Sequence, residues 1–182
     1  MLQFVRSDLE EVGNYGLAAL FARATLLVAT ALGRVYFVDI ARDNAPGAPV
    51  CRTFLVANVA CGLVVAVGLA TIGPAAMSAI YGSSYEVAGR LLQTLCIGLP
   101  FAFCWHALSV INVAQGRPRH SVVISGVGAT IGLSGLGVLT PDLGARGVAI
   151  AMNGAYVSGA IAGLLLFLRS AGQESSGLKN AQ

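Results

Sequence analysis

The sequence predicts an all-α integral membrane protein with five transmembrane helices, and three observations carry that reading. Of its 182 residues, 56% are hydrophobic and only 10% are charged, where a soluble domain carries roughly 45–50% and 25%. Mean hydropathy is +0.77, and the chain holds 23 glycines, a residue commoner in transmembrane helices than in soluble ones. The charges, finally, are gathered at intervals. No Asp, Glu, Lys or Arg stands between Arg52 and Glu86, Arg90 and Arg117, Arg119 and Asp142, or Arg146 and Arg169. A bilayer core about 30 Å thick needs roughly 20 apolar residues, so each gap holds one helix.

Taken in order, residues 1–13 form an N-terminal tail whose mixed, acidic stretch MLQFVRSDLEEVG does not resemble a cleavable signal peptide. The first span is expected over 14–40, apolar but interrupted by Arg23 and Arg34. Residues 41–52 hold Pro46, Gly47, Pro49 and polar groups, which is loop chemistry. The second span is expected over 53–76, and IYGSSYEVAG at 80–89 reads as a turn into the next helix. The third covers 90–115 and the fourth 120–140, joined by the basic knot GRPRH. TPDLGARG at 140–147 reads as a tight hairpin, the fifth span covers 146–168, and 169–182 is a solvated tail.

Five spans place the loops at 41–52 and 116–119 and the tail on one side. That side carries Arg42, Arg52, Arg117, Arg119, Arg169 and Lys179. The other has Arg6, Arg90 and Arg146 among Asp8, Glu10, Glu11, Glu86 and Asp142. The positive-inside rule assigns the first set to the cytoplasm, leaving the N-terminus outside. GRPRH is then a topological marker with no chemistry of its own.

Polar residues inside the spans are the candidate functional groups. Arg23 lies about nine residues into the first span, where a guanidinium costs about 2.5–3.5 kcal/mol on insertion scales and ordinarily faces a protein interior or an aqueous cavity. Arg34 follows eleven residues later; on a straight helix the two side chains lie about 20° apart, with Thr30 near the same face. Arg23, Thr30 and Arg34 thus form a candidate cationic path for an anionic substrate such as a lipid phosphate. Arg34 also admits a plainer reading, pairing with Asp39 or reaching the headgroups. His106, in the third span, could relay protons, since histidine titrates near neutrality, or bond across a helix interface. Asn58, Gln93, Asn112 and Asn153 are interhelical glue by default and pathway lining if they share a cavity. Gly128 with Gly132, and Gly159 with Gly163, have the small-xxx-small spacing that permits close helix contact.

Other classes find little support. A net charge of +3 with scattered arginines does not suggest a nucleic-acid partner. Cys51, Cys61, Cys96 and Cys104 lack metal-site spacing and read as small hydrophobes. There is no phosphate loop, dinucleotide fingerprint or HExxH motif, so no enzyme, cofactor or metal is expected.

The run from Ile80 to Arg169 resembles the C-terminal part of polysaccharide flippases, the O-antigen and lipid-linked oligosaccharide exporters of the MATE-like superfamily. The resemblance rests on IYGSSYEVAGRLLQTLCIGLPFAF, on INVAQGRPRHSVVISGVGATIGL with its QG-Arg helix end, and on GVLTPDLGARGVAIAMNGAYVSGAIAGLLLFL. In the last stretch Pro141, Gly144, Gly147, Ala149 and Ala151 supply the pattern. VGNYGLAALFARATLLVATAL is similar to an earlier helix of the same lobe, so the likeness covers Val12 to Arg169. It implies paired six-helix lobes around a cationic cavity, alternating access, and an undecaprenyl-pyrophosphate-linked substrate at the bacterial inner membrane, with the C-terminus cytoplasmic. Arg23 and Arg34 would suit the pyrophosphate, and Asn58, His106 and Asn112 would line the path.

The five helices correspond to an incomplete C-terminal lobe of such a transporter. Alternating access rocks one repeat against another, so transport requires the missing N-terminal lobe, as part of a longer chain or as a partner. Two alternatives stand beside this expectation. Another MATE-like transporter is one, although a cation exporter would want an intramembrane carboxylate and Asp39, at a span's end, is the sole acidic residue in any expected span. A five-helix remnant or accessory membrane subunit that transports nothing is the other.

Overall fold

The computed structural model describes residues 2–43, 48–82 and 85–179, with side chains described over 11–43, 48–82 and 85–170. Among the described residues the chain is helical throughout, with no strand. The helices are α1 (Leu2–Ala24), α2 (Leu26–Asp43), α3 (Pro49–Tyr81), α4 (Glu86–Ala114) and α5 (Pro118–Lys179). Four stretches are long and apolar enough to cross a membrane: Glu11–Asp43, Pro49–Tyr81, Glu86–Ala114 and Pro118–Ser170. The chain has the character of a membrane protein.

Helix boundaries differ from the sequence expectations chiefly at the ends. Helix begins at Leu2 rather than after a 13-residue tail, and it continues to Lys179 where a solvated tail was expected. The expected loop at 41–52 is shorter, since α2 runs to Asp43 and α3 starts at Pro49, a proline placed where its missing N–H costs nothing. Between α1 and α2 only Thr25 leaves the regular helical pattern. Its Oγ1 donates back to Ala22 O at 2.7 Å, and Val28 N reaches Thr25 O at 3.0 Å in a tightened turn.

The basic knot is a helix stop and start. Gly116 takes φ +69°, Gly116 N donates to Val113 O at 3.1 Å and Arg117 N to Asn112 O at 2.8 Å. This pair of bonds closes α4 in a Schellman motif, and Pro118 then opens α5.

Helix α5 spans 62 residues and would reach about 93 Å if straight, but it is not straight. Gly144 has φ 54° and ψ −136°, and the chain folds back there into two arms, 118–143 and 145–179. A Cβ on Gly135 would lie 3.0 Å from Ala151 Cβ and one on Gly132 3.1 Å from Ala155 Cβ, so the arms pack antiparallel. The expected fourth and fifth spans are these two arms. Glu11 secures the turn from α1, accepting a hydrogen bond from Ala145 N at 2.7 Å; a carboxylate there satisfies an orphan donor and meets the positive end of the second arm.

α4 is the hub. It packs antiparallel to α3 and parallel to the second arm of α5, and glycine on its neighbours admits its larger side chains. A Cβ on Gly62 would lie 2.9 Å from Phe103 Cβ, one on Gly73 2.6 Å from Leu92 Cδ2, and one on Gly163 2.9 Å from Leu108 Cδ1. Trp105 wedges against both Gly128 and Gly159, glycines of the two small-xxx-small pairs. Two buried clusters follow, one around Ala18, Met77, Leu92, Leu99 and Ala149, the other around Ile40, Phe54, Leu108, Ile111 and Phe167.

Pro74 lies inside α3 and cannot donate to Ala70 O, four residues back. Gln93 of α4 fills the vacancy, its Nε2 donating to Ala70 O at 3.0 Å, while Gly89 lets Pro74 Cα approach to 3.0 Å of where a Cβ would stand. Removing the Gln93 amide therefore exposes a backbone acceptor only while the proline is present. We expect Gln93→Leu to destabilise the protein by about 0.6–1.7 kcal/mol, the span of interhelical hydrogen bonds in membranes, and Pro74→Ala to abolish most of that penalty. Thermal unfolding of the four members of this double-mutant cycle in one detergent measures the coupling; additive effects would show that the contribution of Gln93 does not depend on the acceptor that Pro74 frees.

Candidate functional site

Arg23 lies before the one-residue break at Thr25 and Arg34 after it, and they line separate recesses. Arg34 joins Thr30, Gly33 and Phe37 of α2 and His106 and Val110 of α4 around a groove of about 320 Å³. Arg23 instead lines a small recess with Tyr15 and Tyr156, floored by Leu95, Leu99 and Met152. The structure thus brings together Thr30, Arg34 and His106, and sets Arg23 among phenols.

Within the groove the groups have distinct states. The Thr30 hydroxyl donates to Leu26 O at 3.0 Å, and the surface of the groove is almost wholly apolar. Arg34 is exposed. His106 is half-buried, and its Nε2 has no hydrogen-bond partner and almost no exposure. Gly33 lies where α2 and α4 meet: a Cβ there would stand 3.3 Å from Val110 Cγ2, a tight approach, and 3.6 Å from His106 Nε2, an ordinary contact. A polar atom buried without a partner is rare and expensive in a protein interior.

The remaining candidates are tied up locally. Asn58 is fully buried and its Nδ2 donates to Phe54 O at 3.0 Å; Asn112 does the same to Leu108 O at 2.8 Å. Both bonds stay within one helix, so the expected interhelical role falls to other amides. Gln93 bonds α4 to α3, and Asn153 Nδ2 bonds α5 to α4 through Thr94 O at 2.6 Å. Sequence reasoning passed over Gly33, Tyr15 and Tyr156, and it counted Glu11 only as a topological charge. No group of three or more His, Cys, Asp or Glu side chains that could hold a metal occurs among the described residues. None of the four cysteines forms a disulfide, and Cys51 Sγ accepts a hydrogen bond from Gln115 Nε2 at 3.5 Å.

Compared with protein-family models, curated proteins and solved structures, the chain matches none.

The groove makes a direct expectation about water. In a cysteine-free background, cysteine placed at Thr30 or Arg34 should react with a membrane-impermeant maleimide in whole cells or oriented vesicles. Cysteine at Leu27 or Val35, apolar positions of α2 that are 71% exposed and do not line the groove, should stay unlabelled by the same reagent. Equal labelling at all four sites would mean that the groove is no more aqueous than the lipid-facing surface.

Proposed function

We propose that this chain forms the C-terminal part of a flippase for lipid-linked, undecaprenyl-pyrophosphate-carried polysaccharide repeat units, crossing the bacterial inner membrane five times. The observation that carries the reading is the groove between α2 and α4, an apolar cleft of about 320 Å³ with Arg34 among its lining residues. A guanidinium is suited to bidentate phosphate recognition, and the apolar walls suit the lipid that carries the phosphate. The fold-back of α5 at Gly144 supports five crossings. It leaves Arg90 and Arg146 at one end of the bundle and Arg42, Arg52, Arg117 and Arg169 at the other, the asymmetry from which a cytoplasmic C-terminus is inferred.

Movement of the substrate requires a second lobe, because alternating access needs two bodies around a fixed site. The lobe described here supplies the cationic wall. Arg34, not Arg23, stands with the other groove residues, so the two arginines divide the work: Arg34 contacts the anionic headgroup, while Arg23, beside Tyr15 and Tyr156, lies in a separate recess nearer the opposite end. The reaction involves no covalent chemistry.

The test uses the intact transporter, comprising this chain and its companion lobe. Arg34→Gln should reduce export of the lipid-linked repeat at least about tenfold, the loss of roughly one charge-assisted contact, while the protein inserts at normal abundance. Arg34→Lys should recover part of the activity. Export at the normal rate by Arg34→Gln would defeat the groove as substrate path. Purification of this chain alone, with no companion lobe and no export activity, would favour the accessory-subunit reading instead.

A further inference from the structure

A polar pocket lies at the other end of the bundle, away from the groove. It has a volume of about 430 Å³ and is walled by Glu11 of α1, by Arg90, Gln93 and Thr94 of α4, and by Arg146 at the start of the second arm of α5. Below these, Val87, Leu91 and Ile97 make an apolar wall. Val87 to Ile97 is ten residues of helix, about 15 Å, so the pocket runs from the charged end of the bundle well into its apolar zone.

The charges in this lining do not cancel. Two guanidiniums face one carboxylate, which leaves a net positive lining, and one oxygen of that carboxylate, Glu11 Oε1, accepts from Ala145 N at 2.7 Å. The Gln93 amide is likewise spent on Ala70 O and the Thr94 hydroxyl donates to Arg90 O at 3.2 Å. Glu86 and Asp142 are close in sequence but are not among the lining residues. What remains available is a pair of cations, Arg90 and Arg146, presented by two different helices above an apolar wall. Both are exposed, so neither is consumed by the fold.

We propose that this pocket binds a phosphate-bearing headgroup, the two guanidiniums clamping its oxygens and the acyl chain descending along Leu91 and Ile97. Arginine's planar fork suits phosphate oxygens, and the apolar wall suits a lipid where a soluble phosphate would leave it uncovered. The inference does not depend on the transport reading, since it concerns other residues at the opposite end of the molecule.

The experiment reconstitutes the whole chain into bilayers of equal phosphatidylglycerol and phosphatidylcholine, extracts it gently, and counts retained lipid by native mass spectrometry. The wild-type chain should retain phosphatidylglycerol selectively, and Arg90→Gln/Arg146→Gln should lose that selectivity about tenfold with helicity unchanged by circular dichroism. The control Arg119→Gln/Arg169→Gln, at the other end, should keep it. A photoactivatable phosphatidylglycerol on the unaltered chain should crosslink within 87–97 or at 145–146, a readout that needs no variant to fold. Inorganic phosphate distinguishes the source: failure to displace the lipid identifies a headgroup site, and displacement at millimolar concentration identifies a site for phosphate in either form. No selectivity in the wild type, equal loss in the control pair, or crosslinks spread evenly over the chain would overturn the proposal.

Discussion

Everything in this bundle depends on how closely its helices can approach α4. In lipid there is no hydrophobic force between helices, because acyl chains are as apolar as leucine; packing contacts and a few hydrogen bonds must hold them. Those contacts fade quickly with distance. Glycine on α3 and α5 is therefore placed opposite the bulky residues of α4: Gly62 against Phe103, Gly73 against Leu92, Gly163 against Leu108, and Gly128 with Gly159 around Trp105. Each pairing is a ring or branched chain set into a space where one carbon is absent. An added methyl at Gly62 would meet not only Phe103 but the backbone at Pro100 Cα, 3.1 Å away, a contact that cannot rotate aside.

Close packing brings a second constraint, that backbone polar groups in a membrane must be satisfied inside the protein. The chain interrupts its helices at several points, and most of the groups released find partners. Pro74 frees Ala70 O, which Gln93 takes from the next helix. Gly116 ends α4 with two backbone bonds. Gly144 breaks α5, and Glu11 of α1 receives the first amide beyond it. Against this background the orphaned atoms stand out. His106 Nε2, His120 Nδ1, Asn58 Oδ1, Thr140 Oγ1 and Asn153 Oδ1 are buried with no partner among the described residues. Of these five, only the His106 atom belongs to a residue lining the groove with Arg34.

Much of this was legible in the sequence, and the parts that were not have physical causes. Apolar runs bounded by charged residues gave α3, α4 and the first arm of α5 to within about five residues at each end, and the start but not the end of the second arm, since the requirement is one of length and composition. The hairpin around Gly144 was legible because TPDLGARG concentrates turn residues. The helical N-terminus was not, because its mixed charge carries no membrane signal even though helix is the cheapest way to satisfy its backbone. That Arg23 and Arg34 line separate recesses was hidden as well: spacing along one helix does not say which part of a neighbouring helix each side chain meets. Gln93 could have been singled out by one further step. A proline inside a span demands a donor from a neighbouring helix, and Pro74 was in plain view.

The first span meets α4 at two levels. Ala19 and Ala22 belong to the cluster with Leu95 and Leu99, whereas Leu32 and Ile40 pack in the cluster with Leu108 and Ile111. The connection between them is one tightened turn at Thr25, closed by a hydroxyl bond within the chain. Arg23 therefore stands beside one packed cluster and Arg34 beside the other, so the two guanidiniums meet different parts of the same hub helix.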